Sequence, residues 1–415
     1  MRVRCPDCGT VLDTGTTEST CPRCGGLLAV EHEPALRGSA LRALFDGRAS
    51  RAGQTTNAIH RSGVWRFREL VLAADDSTIV SHPEGNTPVI ARDAAAAYAG
   101  VDGLLLKHEG HNPTGSFKDR GMTVALTQAG RIGARAVACA STGNTSASLS
   151  AYASQAGIPS FVFVPAGRVS AGKLAQTVAY GARTLQIKGD FDDCLRLARD
   201  ASDTLGVYLV NSVNPFRIEG QKTIVFELLQ QLGWQAPDWI ALPAGNLGNT
   251  SAFGKALSEA HAFGLIDRVP RLLAVQASGA APFAQAYAAH FAQRISVRAE
   301  TRATAIRIGD PASWDRAVRA IAATNGVVES VTDDEIFAAK SVIDRCGVGC
   351  EPASAASVAG VRALAARGVI GREERVVAVL TGHLLKDPAG NAPPDDTPPL
   401  TPAAALSLLA GVVAG

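Results

Sequence analysis

The sequence predicts an α/β protein with two open α/β domains and a cleft between them. Three observations point there. Short apolar runs at 104–107, 136–140, 161–165, 184–187, 208–210, 239–244, 272–277 and 376–380 read as buried strands, each bounded by Gly, Pro or Asn. Longer amphipathic stretches at 144–156, 170–180, 191–204 and 217–232 read as the intervening helices, so the order is that of β-α units wrapped on parallel sheet. The strands are too many for one compact sheet of usual size, which calls for two layers.

In chain order, the first 35 residues stand apart. They lack helical periodicity and carry two near-identical knuckles, "CPDCG" and "CPRCGG". Cys5, Cys8, Cys21 and Cys24 put two thiolates on each of two tight turns, the pattern that closes a tetrahedral Zn²⁺ site. Four Cys ligands leave no open position, so the metal would be structural; redox chemistry and a ribbon without metal are the alternatives. Residues 36–85 suggest weak amphipathic helices, including 63–73, where Val64, Phe67, Leu70 and Val71 recur at helical spacing. Cys139, Cys194, Cys346 and Cys350 lie in or near apolar stretches and read as small buried hydrophobes. The Pro-rich 387–400 resists helix and strand, and 403–415 reads as a docked terminal helix or a frayed end.

Composition narrows the function. A chain of 415 residues, 47% apolar and 19% charged, buries a large core, and 40 basic against 38 acidic residues spread without runs leave no footprint for nucleic acid or an anionic membrane. There is no apolar leader at the N-terminus and no stretch long enough for a membrane helix, so the protein reads as cytoplasmic.

Five polar segments carry more chemistry than structure requires. "GHNPTGSFK" (110–118) nearly spells a nucleotide phosphate loop, but Ser116 and Phe117 separate the second Gly from Lys118, and the match fails. Lys118 instead falls between a strand exit and a helix start, where α/β folds hold ligands. "STGNT" (141–145) crowds hydroxyls, an amide and free N–H groups onto a helix start; one capping residue would need only one of them, so the surplus suggests an anion site. "PAGNLGN" (243–249) offers backbone N–H groups to a phosphate, without the dinucleotide spacing. "NSVNPFRIEGQKT" (211–223) adds the Arg217 guanidinium, and "LTGHLLKDP" (380–388) ends a strand on Thr381. An amine, two anion cradles, an amide and a hydroxyl make up the set that pyridoxal 5′-phosphate needs.

Together with "EGNTPV" (84–89), "ATAIRIGDPASW" (303–314) and "CEPASAA" (350–356), these segments resemble the threonine synthase family in order and wording across about residues 84–388. The ribbon resembles an extension present in some members. The resemblance implies a fold type II pyridoxal-phosphate enzyme, usually a homodimer. It implies a ribbon over 1–35, a large domain from 36–110 and 216–390, a small domain over 111–215, and a tail over 391–415. It further implies Lys118 as the Schiff-base lysine and catalytic base, Asn144 against the ring hydroxyl, Gly245, Asn246, Leu247, Gly248 and Asn249 around the cofactor phosphate, and Thr381 at the ring nitrogen. Ser141, Thr142 and Thr145 would hold the substrate carboxylate, and Asn211, Ser212 and Arg217 its phosphate. The implied reaction converts O-phospho-L-homoserine and water to L-threonine and phosphate; a cysteate synthase, a threonine dehydratase and a non-enzymatic ribbon protein are the rivals. One departure stands out: Leu384 occupies a usual Gly position beside Thr381, where it either crowds the ring-nitrogen wall or points elsewhere.

Overall fold

The structure is a computed structural model that describes residues 1–141, 143–167, 171–189, 191–387, 401, 402 and 404. Apart from Asp387 and Ala404, the segments expected over 387–400 and 403–415 lie outside the described residues. Three sheets organise the rest. β1 (Arg2–Arg4), β2 (Val11–Leu12) and β3 (Ala29–Glu31) form a small antiparallel sheet in the order β2-β1-β3. β4 (Val89–Ala91), β5 (Gly103–His108), β10 (Trp239–Pro243), β11 (Arg271–Ala277), β12 (Val327–Val331) and β13 (Arg375–Leu380) form a six-stranded sheet, ordered β12-β11-β10-β13-β5-β4. It is parallel except where β4 runs against β5. β6 (Val137–Ala140), β7 (Ser160–Pro165), β8 (Arg183–Ile187) and β9 (Tyr208–Leu209) make a parallel four-stranded sheet, ordered β8-β7-β6-β9.

The central strands are buried on both faces, which is why they read as unbroken apolar runs. Trp239, Ala241, Leu273 and Val275 pack on one side of the large sheet, and Ile240, Leu242, Leu272 and Ala274 on the other. The second of these cores extends into the ribbon: Val3, Leu28 and Val30 are fully buried in the same cluster as Phe216, Ile218 and Ala256. Among the described residues no helix is long and apolar enough to cross a membrane.

Three local expectations change. The helix expected over 63–73 is a short 3-10 segment, Trp65–Leu70, interrupted at Phe67 (φ −103°, ψ 28°). Val64, Trp65, Arg66 and Phe67 are all buried in succession, so the chain is enclosed on every side and no single apolar stripe exists to favour a regular helix. The helix expected over 217–232 is two, Pro215–Gln221 and Thr223–Gln231; Asn214 caps the first, its side chain accepting from Phe216 N at 3.0 Å. β4 and β12, which the apolar runs did not flag, are edge strands whose half-exposed residues dilute the signal.

The helices Lys118–Arg131 and Pro215–Gln221 meet at a pair of glycines. A Cβ on Gly220 would run into the Arg120 carbonyl, and one on Gly121 would lie 2.9 Å from the Arg217 carbonyl. This contact brings the element bearing Lys118 against the element bearing Arg217.

Candidate active site

A cleft of about 570 Å³ opens where β6, β9, β10 and β13 end. Ligands bind α/β proteins at such carboxyl ends of strands.

Lys118 occupies the first turn of the Lys118–Arg131 helix and faces this cleft. Its loop is tied at both ends. Asp119 accepts hydrogen bonds from Thr114 N (2.7 Å), Thr114 Oγ1 (2.6 Å) and Ser148 Oγ (2.6 Å). Across the loop, Phe117 N donates to the Thr381 carbonyl at 3.0 Å, and His383 N to the Gly115 carbonyl at 2.9 Å. The Lys118 amine lies 4.1 Å from the centroid of the Phe117 ring. Burial, reinforced by the positive charge of Arg217 and opposed by Glu351, lowers its pKa from 10.5 to about 7. A lysine so placed is a nucleophile and base near neutrality.

Ser141, Asn144 and Thr145 form one wall; Thr142 lies outside the described residues. The Asn144–Ala156 helix starts after Gly143 without a side-chain cap, which leaves its first N–H groups open to the cleft. Opposite, Gly245, Asn246, Leu247, Gly248 and Asn249 join β10 to the Gly248–Ala262 helix and also line the cleft. Leu247 holds φ +62° just before that helix. Around this loop, buried Asn249 Oδ1 and Nδ2, Thr250 Oγ1 and Gln221 Oε1 have no hydrogen-bond partner within the protein. Buried polar atoms are ordinarily satisfied, so these point to a group that belongs there.

Thr381, at the end of β13, closes a third side, with its hydroxyl 3.0 Å from Ser354 Oγ. Leu384 does not line the cleft: its side chain meets the space beside Gly349. Of the two outcomes open for it, it points elsewhere.

The residues expected at a substrate phosphate fall into two layers. Asn211 and Ser212 line the cleft, but Asn211 is engaged with the backbone of Ala140, accepting from its N and donating to its O at 3.1 Å each, while Ser212 Oγ accepts from Asn246 Nδ2. Arg217 is fully buried behind the wall; its Nη1 donates to the Val210 carbonyl at 3.1 Å, and Nε and Nη2 have no partner. Burial pushes its pKa down to about 10.

Glu351 and Lys386 are among the cleft residues with no role assigned from the sequence. Glu351 is buried, accepts from Asn144 Nδ2 at 2.9 Å, and lies 3.4 Å from Thr381 Oγ1, so it links the walls assigned to the ring hydroxyl and ring nitrogen. Burial raises its pKa against the pull of Asn144, Lys386 and Lys118. Lys386, at the mouth, donates to the Thr114 carbonyl at 3.0 Å. In the sequence each reads as an ordinary charge, Glu351 before a helix-starting Pro and Lys386 in a polar loop; only the "CEPASAA" wording pointed at the first.

Far from the cleft, the sulfurs of Cys5, Cys8, Cys21 and Cys24 all lie within 4.8 Å of one another, with Cys5–Cys24 at 3.5 Å and Cys8–Cys21 at 3.6 Å. A zinc tetrahedron with Zn–S near 2.3 Å has S–S edges of roughly 3.8 Å, a close fit. Of the other cysteines, Cys139, Cys194 and Cys350 are buried and Cys346 is half-buried.

The donor set fits pyridoxal phosphate: a deprotonatable amine, a glycine loop at a helix start with unsatisfied buried atoms, and hydroxyl and amide groups on flanking walls. Residues 80–382 match the family of pyridoxal-phosphate dependent enzymes. The threonine synthase of Methanocaldococcus jannaschii is 43% identical over 390 residues, covering 94% of this chain and 93% of that protein. That of Mycobacterium leprae is 52% identical over 324 residues, covering 78% and 88%. Among solved structures, threonine synthase from Escherichia coli is similar with a TM-score of 0.71 at 18% identity, covering 99% of this chain and 100% of that one. The processed threonine deaminase isoform 2 of Solanum lycopersicum reaches 0.64 at 17% identity, covering 86% and 93%; at such identities the likeness is one of fold. A lysine cleft built for this cofactor and relatives of this identity over most of its length agree: the chain belongs to the pyridoxal-phosphate dependent enzymes, within the threonine synthase family.

Proposed function

We propose that the protein converts O-phospho-L-homoserine and water to L-threonine and phosphate. The observation that carries this reading is two separate sets of unsatisfied buried polar atoms: those of Asn249 and Thr250 at the glycine loop, and the Nε and Nη2 of Arg217 on the Pro215–Gln221 helix. One cradle suits the cofactor phosphate and the second a phosphate on the substrate. A dehydratase of unphosphorylated threonine has no use for the second.

In this reading Lys118, Asn144, Gly245 through Asn249 and Thr381 hold the cofactor, which when bound supplies an electron sink for the carbanion at the substrate Cα. Ser141, Thr142 and Thr145 orient the substrate carboxylate. The Lys118 amine, neutral above about pH 7, takes the Cα proton and later serves Cβ from the same tether. Arg217, with Asn211 and Ser212 shaping the wall, holds the phosphate as it leaves Cγ, and water adds at Cβ. Glu351 holds Asn144 and Thr381 in register. The four ribbon cysteines bind structural Zn²⁺, residues 36–110 with 216–390 and 111–215 form the large and small domains, and the protein works as a cytoplasmic homodimer.

The test uses purified holoenzyme with three substrates in separate arms: O-phosphohomoserine, O-phosphoserine plus sulfite, and threonine. Stoichiometric threonine and phosphate from the first arm is the expected result. Turnover of either other substrate without threonine formation in the first rejects the reading.

A further inference from the structure

A second cavity, of about 650 Å³, lies between the ribbon and the body. Its volume is in the range of small-molecule sites. Leu28 and Val30 of the ribbon and Ile218 and Phe263 of the body give it apolar walls. Most charges around it are paired: Lys255 with Glu219, Lys222 with Glu259, Arg2 with Glu31, and Arg319 with Asp7; His32, its pKa lowered to about 4 by burial, hydrogen-bonds Glu219.

Among the buried ones Arg316 is the exception; Glu33 and Arg37, both exposed, also line the cavity without an ion pair among the described residues. Arg316 lines the cavity at 9% exposure, its Nη2 donates to the Leu28 carbonyl, and its Nη1 has no partner. Among the described residues no carboxylate lies within ion-pair distance of it. Burial pushes its pKa down to about 10. Glu219 acts on it only from beyond ion-pair distance, and a guanidinium removed from water without a direct ion pair is unfavourable, so its retention beside an open cavity calls for an anion. A single buried positive charge without an ion pair suits a monoanion; a phosphate dianion would face Glu31, Glu33, Glu219 and Glu259.

We propose that this cavity binds a small organic monoanion, one carboxylate on a short apolar body, with the carboxylate on Arg316 Nη1 and the body against Leu28 and Phe263. The site is back to back with the cleft. Ile218 follows Arg217 in sequence, and Ser251 belongs to the helix that starts at the glycine loop.

The test takes the holoprotein with hexanoate as probe and hexanamide as its uncharged counterpart, read by titration calorimetry and thermal shift. Hexanoate is expected to bind saturably and to bind roughly tenfold or more tighter than hexanamide, the worth of one charge-assisted hydrogen bond. Arg316→Met is expected to abolish that preference and, by replacing an unpaired buried charge with an apolar chain, to raise the Tm of the unliganded protein. Ala323→Glu, an exposed change two turns along the same helix face, covers the case in which Arg316→Met does not fold; its added carboxylate is expected to weaken hexanoate and spare hexanamide. Absence of saturable hexanoate binding, equal binding of the two probes, or hexanoate binding unchanged in either variant overturns the proposal.

Discussion

In the proposed Schiff-base role Lys118 would have to be uncharged, and its surroundings favour this by burial first and by Arg217 second. Because the pKa is lowered from 10.5 to about 7, the amine is neutral above that pH. Cofactor capture by the apoprotein should therefore accelerate as pH rises through about 7 and then level off, followed by the growth of the bound cofactor's absorbance. A rate still climbing toward pH 10 contradicts the assignment. Lys118→Ala should lose the covalently bound absorbance altogether. Glu351 makes a separate prediction. Glu351→Gln keeps the shape and removes the charge that accepts from Asn144, so the covalent cofactor should remain while its absorbance acquires a different pH dependence and kcat falls roughly tenfold to hundredfold. An unaltered spectrum with unaltered kcat would assign Glu351 a structural role only. Lys118 and Arg217 were singled out in the sequence because they sit in polar segments beside strand ends and helix starts. Glu351 was not, since its contact with Asn144 spans 207 residues of sequence.

Among the elements, the helix crossing at Gly121 and Gly220 brings the helix bearing Lys118 against the helix bearing Arg217. Gly220→Ala forces the Lys118–Arg131 and Pro215–Gln221 helices apart. Overpacking of this kind costs about 1–3 kcal/mol, to be read in denaturant midpoints. It should also raise KM for the phosphorylated substrate, because Arg217 rides on the displaced helix; a stability loss with KM unchanged would separate Arg217 from substrate binding. Parallel strands such as β6 and β10 were legible because burial on both faces demands apolar residues throughout. The 3-10 segment at Trp65–Leu70 misled the reading because helical spacing of apolar residues is uninformative where the polar neighbour, Arg66, is buried as well. Likewise, nothing in the spacing of 217–232 marks the break near Lys222.

For the whole molecule, the ribbon is part of the catalytic body's core. Val3, Leu28 and Val30 each contribute about 1.5–3 kcal/mol by burial, and they are buried against the body. Cys21→Ser, or removal of the proposed Zn²⁺ by a chelator, should therefore lower the Tm of the entire protein in one transition. A separate ribbon transition that leaves the main melt in place would show the two to be independent. The α/β class, the cysteine quartet and the polar loops at strand ends were set by local patterns: apolar period, Gly and Pro punctuation, and ligand spacing act over a few residues. The docking of the ribbon, the Asn144–Glu351 link and the unpaired Arg316 beside Leu28 arise from contacts between segments 114 to 312 residues apart. No periodicity records such distances, because they are decided by which faces the folded sheets and helices leave to be covered.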